Sequence, residues 1–253
     1  ETPEVNKNEV PATNAASKPN PTGAAGGNNT GQQKEGKKKV SVAAAIGATV
    51  AENQAIARTG SKITLKTKGD LGLKAETHTN YSTRSSGEAV SDDIGIGAAV
   101  AVTATRNTTQ ATLGSGNTVS EAKDINVTAQ AEQNRDGRFA SADMAAEAVS
   151  GASGGEVAVA GALAVVLNEN ETRAAVAEGA QIGSATTPVG HVTVEADEKT
   201  HLAVQARAGA LATGAQGQGG QGGGEAKAGV GAAFAVLLAR NSTRAAVGYD
   251  SVA

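Results

Sequence analysis

The stretch VAGALAVVLNENETRAAV (159–176) decides the fold, because it is one of four related copies. The others are VSVAAAIGATVAENQAIA (40–57), IGAAVAVTATRNTTQATL (96–113) and VGAAFAVLLARNSTRAAV (230–247). Matching Gln54, Gln110, Arg173 and Arg244 spaces the copies by 56, 63 and 71 residues. Asn107, Asn170 and Asn241 stand three positions before the matched residue. Fixed self-similarity on this scale is the mark of a stacked-repeat architecture.

Within each copy the residues alternate with period two, which is the period of a strand. Val40, Val42, Ala44, Ile46, Ala48 and Val50 share one face, against Ser41, Ala43, Ala45, Gly47, Thr49 and Ala51. In the third copy Val157, Val159, Leu163, Val165 and Leu167 oppose Ala158, Ala160, Ala162 and Ala164. One face is large and branched, the other small. Helix is the rival, since Ala is the best helix former. In Ala140–Ala148 the alternation is weakest, and a short helix competes there. Elsewhere the density of Val, Thr and Ile, interrupted by Gly, favours strand.

Working outward, a second block follows each of the first three copies: KGDLGLKAE (68–76), AKDINVTAQAE (122–132) and VGHVTVEADE (189–198). The growing period is expected to reflect a loop insert in one slot, at Ser85–Asp93, Ser150–Gly155 and Gly214–Gly224. Residues 1–38 occupy the same slot ahead of the first copy. They hold four of the five prolines and almost no Val, Leu or Ile, so they read as a disordered linker or long loop insert. Residues 39–253 read as a β-solenoid of 56–71-residue repeats, cut within its last repeat at the C-terminal end.

Composition agrees. The 253 residues include 53 Ala and 33 Gly, two Phe, two Tyr, one Met and neither Trp nor Cys. Such a chain lacks the side-chain volume for one bulky core, and it is neither a disulfide scaffold nor a Cys-based zinc protein. Strands that cannot bury a face alone must stack, with the large residues expected to point into a thin shared core. The expected fold is all-β: a right-handed parallel β-helix with Gly-rich loop inserts and two or three coils per repeat. Asn107, Asn170 and Asn241 are expected at a corner between strands, where Asn tolerates positive φ.

The block (V/I)-G-A-A-V-A-V…N-x-T-(R/Q)-A-x-(V/L)-G, followed by G-D-(I/V)-x-V-x-A, resembles the repeats of very large bacterial exoproteins. These are the filamentous-haemagglutinin-like and autotransporter adhesins exported by type V secretion. The resemblance spans Val40 to Ala253. It implies the right-handed β-helix, a place on the Gram-negative cell surface and a role in attachment or as a stalk. It also implies an outer-membrane translocator elsewhere in the parent protein or in a partner. A second reading makes the Ala/Gly/Ser/Thr faces of the four copies one flat binding surface, for a protein or glycan of a host or neighbouring cell or for a second solenoid packed alongside. A rod that delivers a toxin or a contact-inhibition domain would use the same repeats.

Chemical motifs are outweighed by their context. Gly151-Ala152-Ser153-Gly154-Gly155 fits the hydrolase pattern G-x-S-x-G, which requires a strand-to-helix turn. Gly217, Gly219 and Gly222 fit G-x-G-x-x-G inside a tract where Gly is frequent. His78, His191 and His201 lack metal-binding spacing, and Asp92–Asp93 lacks the Asp/Gly repeat of a Ca²⁺ solenoid. No catalytic group, cofactor or metal is expected. A net charge of −3 with few aromatics argues against nucleic acid, and Lys34, Lys37, Lys38 and Lys39 read as a solvated run. Asn28, Asn80, Asn107, Asn126, Asn170 and Asn241 carry N-x-S/T sequons. For Asn107, Asn170 and Asn241 the expected role is structural, with glycosylation as the alternative.

Overall fold

The computed structural model describes residues 39–133, 144–213 and 228–249. The first rung comprises β1 (Val40–Arg58), β2 (Thr64–Lys66), β3 (Leu71–Thr79) and β4 (Tyr81–Val90). The second comprises β5 (Ile94–Leu113), β6 (Thr118–Ser120), β7 (Asp124–Gln133) and β8 (Met144–Gly154). The third comprises β9 (Val157–Ala177), β10 (Gln181–Ile182), β11 (His191–Lys199) and β12 (Leu202–Ala212), and β13 (Ala228–Tyr249) opens a fourth. No helix occurs among the described residues.

Each strand pairs in parallel with its counterpart one rung away. Four sheets result, ordered β1-β5-β9-β13, β10-β6-β2, β11-β7-β3 and β12-β8-β4. This all-parallel, all-β stack is compatible with a β-solenoid. One repeat makes one coil, not two or three, because the long strands, of 19 to 22 residues, use up what shorter strands would divide among several coils.

Val40 pairs with Ile94, Ile94 with Val157 and Val157 with Ala228. The first offset is therefore 54 residues, two fewer than matching Gln54 to Gln110 gives. That match slipped by one full pleat, which preserves the faces but hides a residue. Asn53 pairs with Asn107, Asn107 with Asn170 and Asn170 with Asn241, so all four copies carry the Asn. These Asn lie inside the long strands, and none has positive φ. The left-handed positions come later, at Lys62, Gly116 and Gly179, one per coil in the turn after each of the first three long strands.

The core has two parts. A lobe between the second halves of the long strands and the sheets of β6 and β7 is filled by Leu113, Val119, Ile125, Val127 and Val176. The first halves of the long strands instead pack on β4, β8 and β12, forming a flat arm. Its interior is Ala99, Ala101, Ala146, Ala148, Ala162 and Ala164, with Met144 and Val166 toward the lobe. The arm is thin. A Cβ added to Gly87 would lie 1.9 Å from the Ala98 carbonyl oxygen, and one on Gly95 would lie 2.3 Å from that of Ser153.

The expected facing is thus reversed. The small face is the core, while Ile46, Val50 and Phe234 of the large face are 69%, 82% and 66% exposed. Two physical reasons fix this. The opposing strands also present small residues (Ser85, Gly87 and Ala89 on β4), so small-on-small brings the sheets into close contact. Strand parity is also continuous. Leu163, Val165 and Leu167 share a face with Glu169, Glu171 and Arg173, and burying the first set would draw those charges in from solvent.

Two of the presumed inserts are strand: Ser85–Val90 belongs to β4 and Ser150–Gly154 to β8. Gly is dense there because the arm leaves no room for side chains. Ala145–Ala148 are likewise strand, not helix. Residues 1–38, Gly214–Gly224 and Ala140–Ala142 lie outside the described residues.

Candidate functional site

The long-strand sheet exposes a continuous apolar surface over the arm. Its columns, read across the rungs, include Val42–Ile96–Val159–Val230, Ile46–Val100–Leu163–Phe234 and Val50–Ala104–Leu167–Leu238. At about 3.3 Å per residue and about 4.8 Å between strands, Val40 to Val50 across four strands covers about 600 Å². Soluble monomers rarely leave so much contiguous apolar surface open. The opposite face of the arm is mixed, with Ser82, Arg84, Ser86 and Glu88 pointing out from β4 beside the exposed Val90 and Leu211. Arg84 reaches Glu147 of the next rung at 3.4 Å.

The apolar surface ends sharply at the column Glu52–Arg106–Glu169–Arg240, whose sign alternates from rung to rung. Arg106 binds Glu169 at 3.0 Å, and Arg240 approaches the same carboxylate at 3.9 Å. A groove of about 560 Å³ follows this border, with Val50, Ala104, Leu167 and Leu238 on one wall and the charged column on the other. It continues onto the polar column Gln54–Thr108–Glu171–Ser242.

Beneath the border, buried polar ladders hold the long strands where they pass from arm to lobe. Asn53 Nδ2 donates to Asn107 Oδ1 at 2.7 Å, and Asn107 Nδ2 donates to Asn170 Oδ1 at 2.8 Å. Asn170 Nδ2 donates to Glu198 Oε1 at 2.8 Å instead of to Asn241, whose Oδ1 accepts from Asn168 Nδ2 at 3.1 Å. A neighbouring hydroxyl ladder runs from Thr103 to Thr83 (2.8 Å) and from Thr83 to Thr49 (2.7 Å). Such ladders satisfy the polar groups and pin the register.

Asn107 and Asn170 are each 3% exposed and their amides are engaged, which leaves no space for a glycan on the side-chain nitrogen. Asn241, on the outermost described strand, is exposed, as is Asn126, which points outward from β7. Asn28 lies outside the described residues.

The other motif residues stay apart. Gly151, Ser153 and Gly154 sit within strand β8, without the turn into a helix that a nucleophile elbow needs. Gly217, Gly219 and Gly222 lie outside the described residues, as do Lys34, Lys37 and Lys38; Lys39 pairs with Asp92. That pairing raises the Lys39 pKa, chiefly through its hydrogen bond to Asp92. His191 pairs across the rungs with Asp124, and its side chain is 90% exposed. The Asp124 carboxyl is held below its ordinary pKa, first by the His191 backbone N–H at 2.9 Å and then by the imidazole at 3.2 Å. His78 contacts Glu76 at 2.6 Å on the surface. Among the described residues no three His, Asp or Glu side chains are grouped to hold a metal ion.

The arrangement offers ladders of repeated side chains and one open apolar face. Among the described residues, Ser153, His78 and His191 stand on three different strands, β8, β3 and β11. The apolar face was missed by the sequence reading, yet a signal for it was there. In every copy the large residues share parity with a charged residue: Glu52, Arg106, Glu169 or Arg240. Comparison with protein families, characterised proteins and solved structures finds no match to this chain.

Proposed function

We propose that this chain is a segment of a rigid, non-catalytic, right-handed β-solenoid that serves as stalk and attachment surface of a large exported bacterial protein. The observation that carries the reading is the apolar face. It repeats the same residue class at the same outward positions of four successive long strands, and a surface of that size calls for a partner. The ladders beneath it suit a load-bearing stack, since each coil is tied to the next by both backbone and side-chain bonds. The repeat pattern's likeness to type V-secreted adhesins supports an extracellular place for it, at the Gram-negative cell surface.

The test is attachment. Beads coated with the 253-residue chain are expected to bind cell surfaces, bacterial or host, in a saturable way. Replacing Val100 and Leu163 with Ser is expected to abolish that binding while the circular dichroism stays β-rich. Attachment that is absent, or indifferent to those replacements, overturns the reading.

A further inference from the structure

We infer that the apolar face is covered by a second copy of this chain, packed face to face about a two-fold axis running along the strands. The inference rests on the reading of that face as the docking surface and names its occupant in solution; a copy held singly on a bead keeps the face open for the attachment test.

The rest of this sequence offers little apolar surface to cover it. Residues 1–38, 134–143, 214–227 and 250–253 contain only Val5, Val10, Phe139 and Val252 as large apolar side chains. These cannot match about 600 Å² of Val, Ile, Leu and Phe. The face itself can. Two copies would bury about 1,200 Å² in total, the lower end of a standard specific interface.

The charged border fixes the orientation. The order Glu52, Arg106, Glu169, Arg240 changes sign when it is reversed. A two-fold axis along the strands inverts the second stack, which reverses its column. Glu52 then meets Arg240 of the second copy and Arg106 meets Glu169, and the same pairs recur on the other side of the axis. All four contacts are between opposite charges. A copy whose stack ran in the same direction would have its strands reversed, so its charged column would stand at the far edge of the apolar face and leave this one unmatched. An isologous contact of this kind closes on itself as a dimer. The same operation places Ile46 on Phe234 and Val100 on Leu163 of the partner.

The four charged side chains are exposed enough to serve this contact. Although Arg106 and Glu169 already bond within the chain, they remain 61% and 45% exposed, and Arg240 is 85% exposed. Border charges in solvent select partner and orientation more than they add affinity. The regular register makes the match repeat along the whole border, because all four long strands pair without a bulge from Val40 through Val247 and their counterparts.

The experiment is sedimentation equilibrium of the full chain and two column variants, with fold monitored by circular dichroism. The wild type is expected to dimerise at micromolar concentration. Glu52→Arg with Glu169→Arg makes the column wholly positive, and Arg106→Glu with Arg240→Glu makes it wholly negative. Each is expected to dimerise at least about tenfold more weakly, and their equimolar mixture to form a heterodimer of restored affinity. A monomeric wild type, or variants that dimerise as before, overturns the inference.

Because the chain lacks Cys, engineered thiols give a second readout that does not disturb the charges. Ile46→Cys and Phe234→Cys chains are expected to cross-link when mixed and not when oxidised alone. Cross-linking of either alone, or of neither combination, is the contrary result. A monomeric chain that still attaches to cells would sink the dimer and leave the docking face standing. Loss of both would sink the two together.

Discussion

Gly97 faces the backbone of Gly151 so closely that a Cβ on Gly97 would lie 2.1 Å from the Gly151 carbonyl oxygen. This contact between β5 and β8 sets the thickness of the arm and, with it, which face of the long strands is buried. Gly97→Ala is therefore expected to destabilise the fold by about 1–3 kcal/mol, since neither backbone can retreat without disturbing its sheet. Gly161, in the outward column with Ala44, Ala98 and Ala232, has nothing within 4 Å of its Cβ position. Gly161→Ala is expected to stabilise by about 0.5–1 kcal/mol. Urea melts of the two variants check the contrast, and equal midpoints would refute it.

The Asn ladder predicts a cost at its centre. Asn107→Ala removes the donor for the buried Asn170 Oδ1 and one acceptor of the part-buried Asn53, whose Nδ2 keeps Tyr81 Oη at 2.7 Å. A loss of about 1–3 kcal/mol is expected, as the buried Asn170 Oδ1 loses its donor. Asn126→Ala, outward and exposed, is expected to stay within about 0.5 kcal/mol of wild type. Thermal unfolding of the pair distinguishes a working ladder from an incidental one.

Lys62 occupies, with φ of 57°, the turn position that Gly116 and Gly179 fill in the next two coils. A side chain in the left-handed region carries a cost of about 1–2 kcal/mol. Lys62→Gly relieves it, offset in part by the greater freedom of glycine in the unfolded chain. A net gain of about 0.5–1 kcal/mol is expected, and a lowered melting temperature would contradict it.

Two surface carboxyls, Asp124 and Glu76, titrate below their ordinary range in the folded chain. The first is held by the His191 backbone N–H and imidazole, the second by Lys74 and then His78. Their stabilisation is complete above the unfolded values of about 4 and is lost as pH falls through the lower folded values. The urea midpoint is expected to be level near neutrality and to drop below about pH 4, with a shallower drop in Asp124→Asn. A midpoint independent of pH over that range would show that these contacts carry no stability.

How much of this was legible beforehand differs by feature. The period-two pattern in Val157–Leu167 and the recurrence of the copies announce parallel stacked strands, and His191 aligns with Asp124 from the second block alone. The Asn register was hidden in one copy because Gln54 offered a tempting match to Gln110, two residues out of step. Only the hydrogen-bonded pairing of Asn53 with Asn107 corrects it.

The sequence by itself determined that the long strands have one large and one small face, and that neighbouring coils repeat them. Alternation is a local property of each strand and specifies two faces without ranking them. Which one lies inside was decided by tertiary structure, because it depends on what stands across the core. From Ser85, Ala148 and Ala206 outward along the arm, the opposite strands β4, β8 and β12 carry Gly, Ala and Ser inward, and close packing of small on small there excludes the Val, Ile, Leu and Phe of the other face. The same packing that completes the core therefore leaves the apolar surface outside.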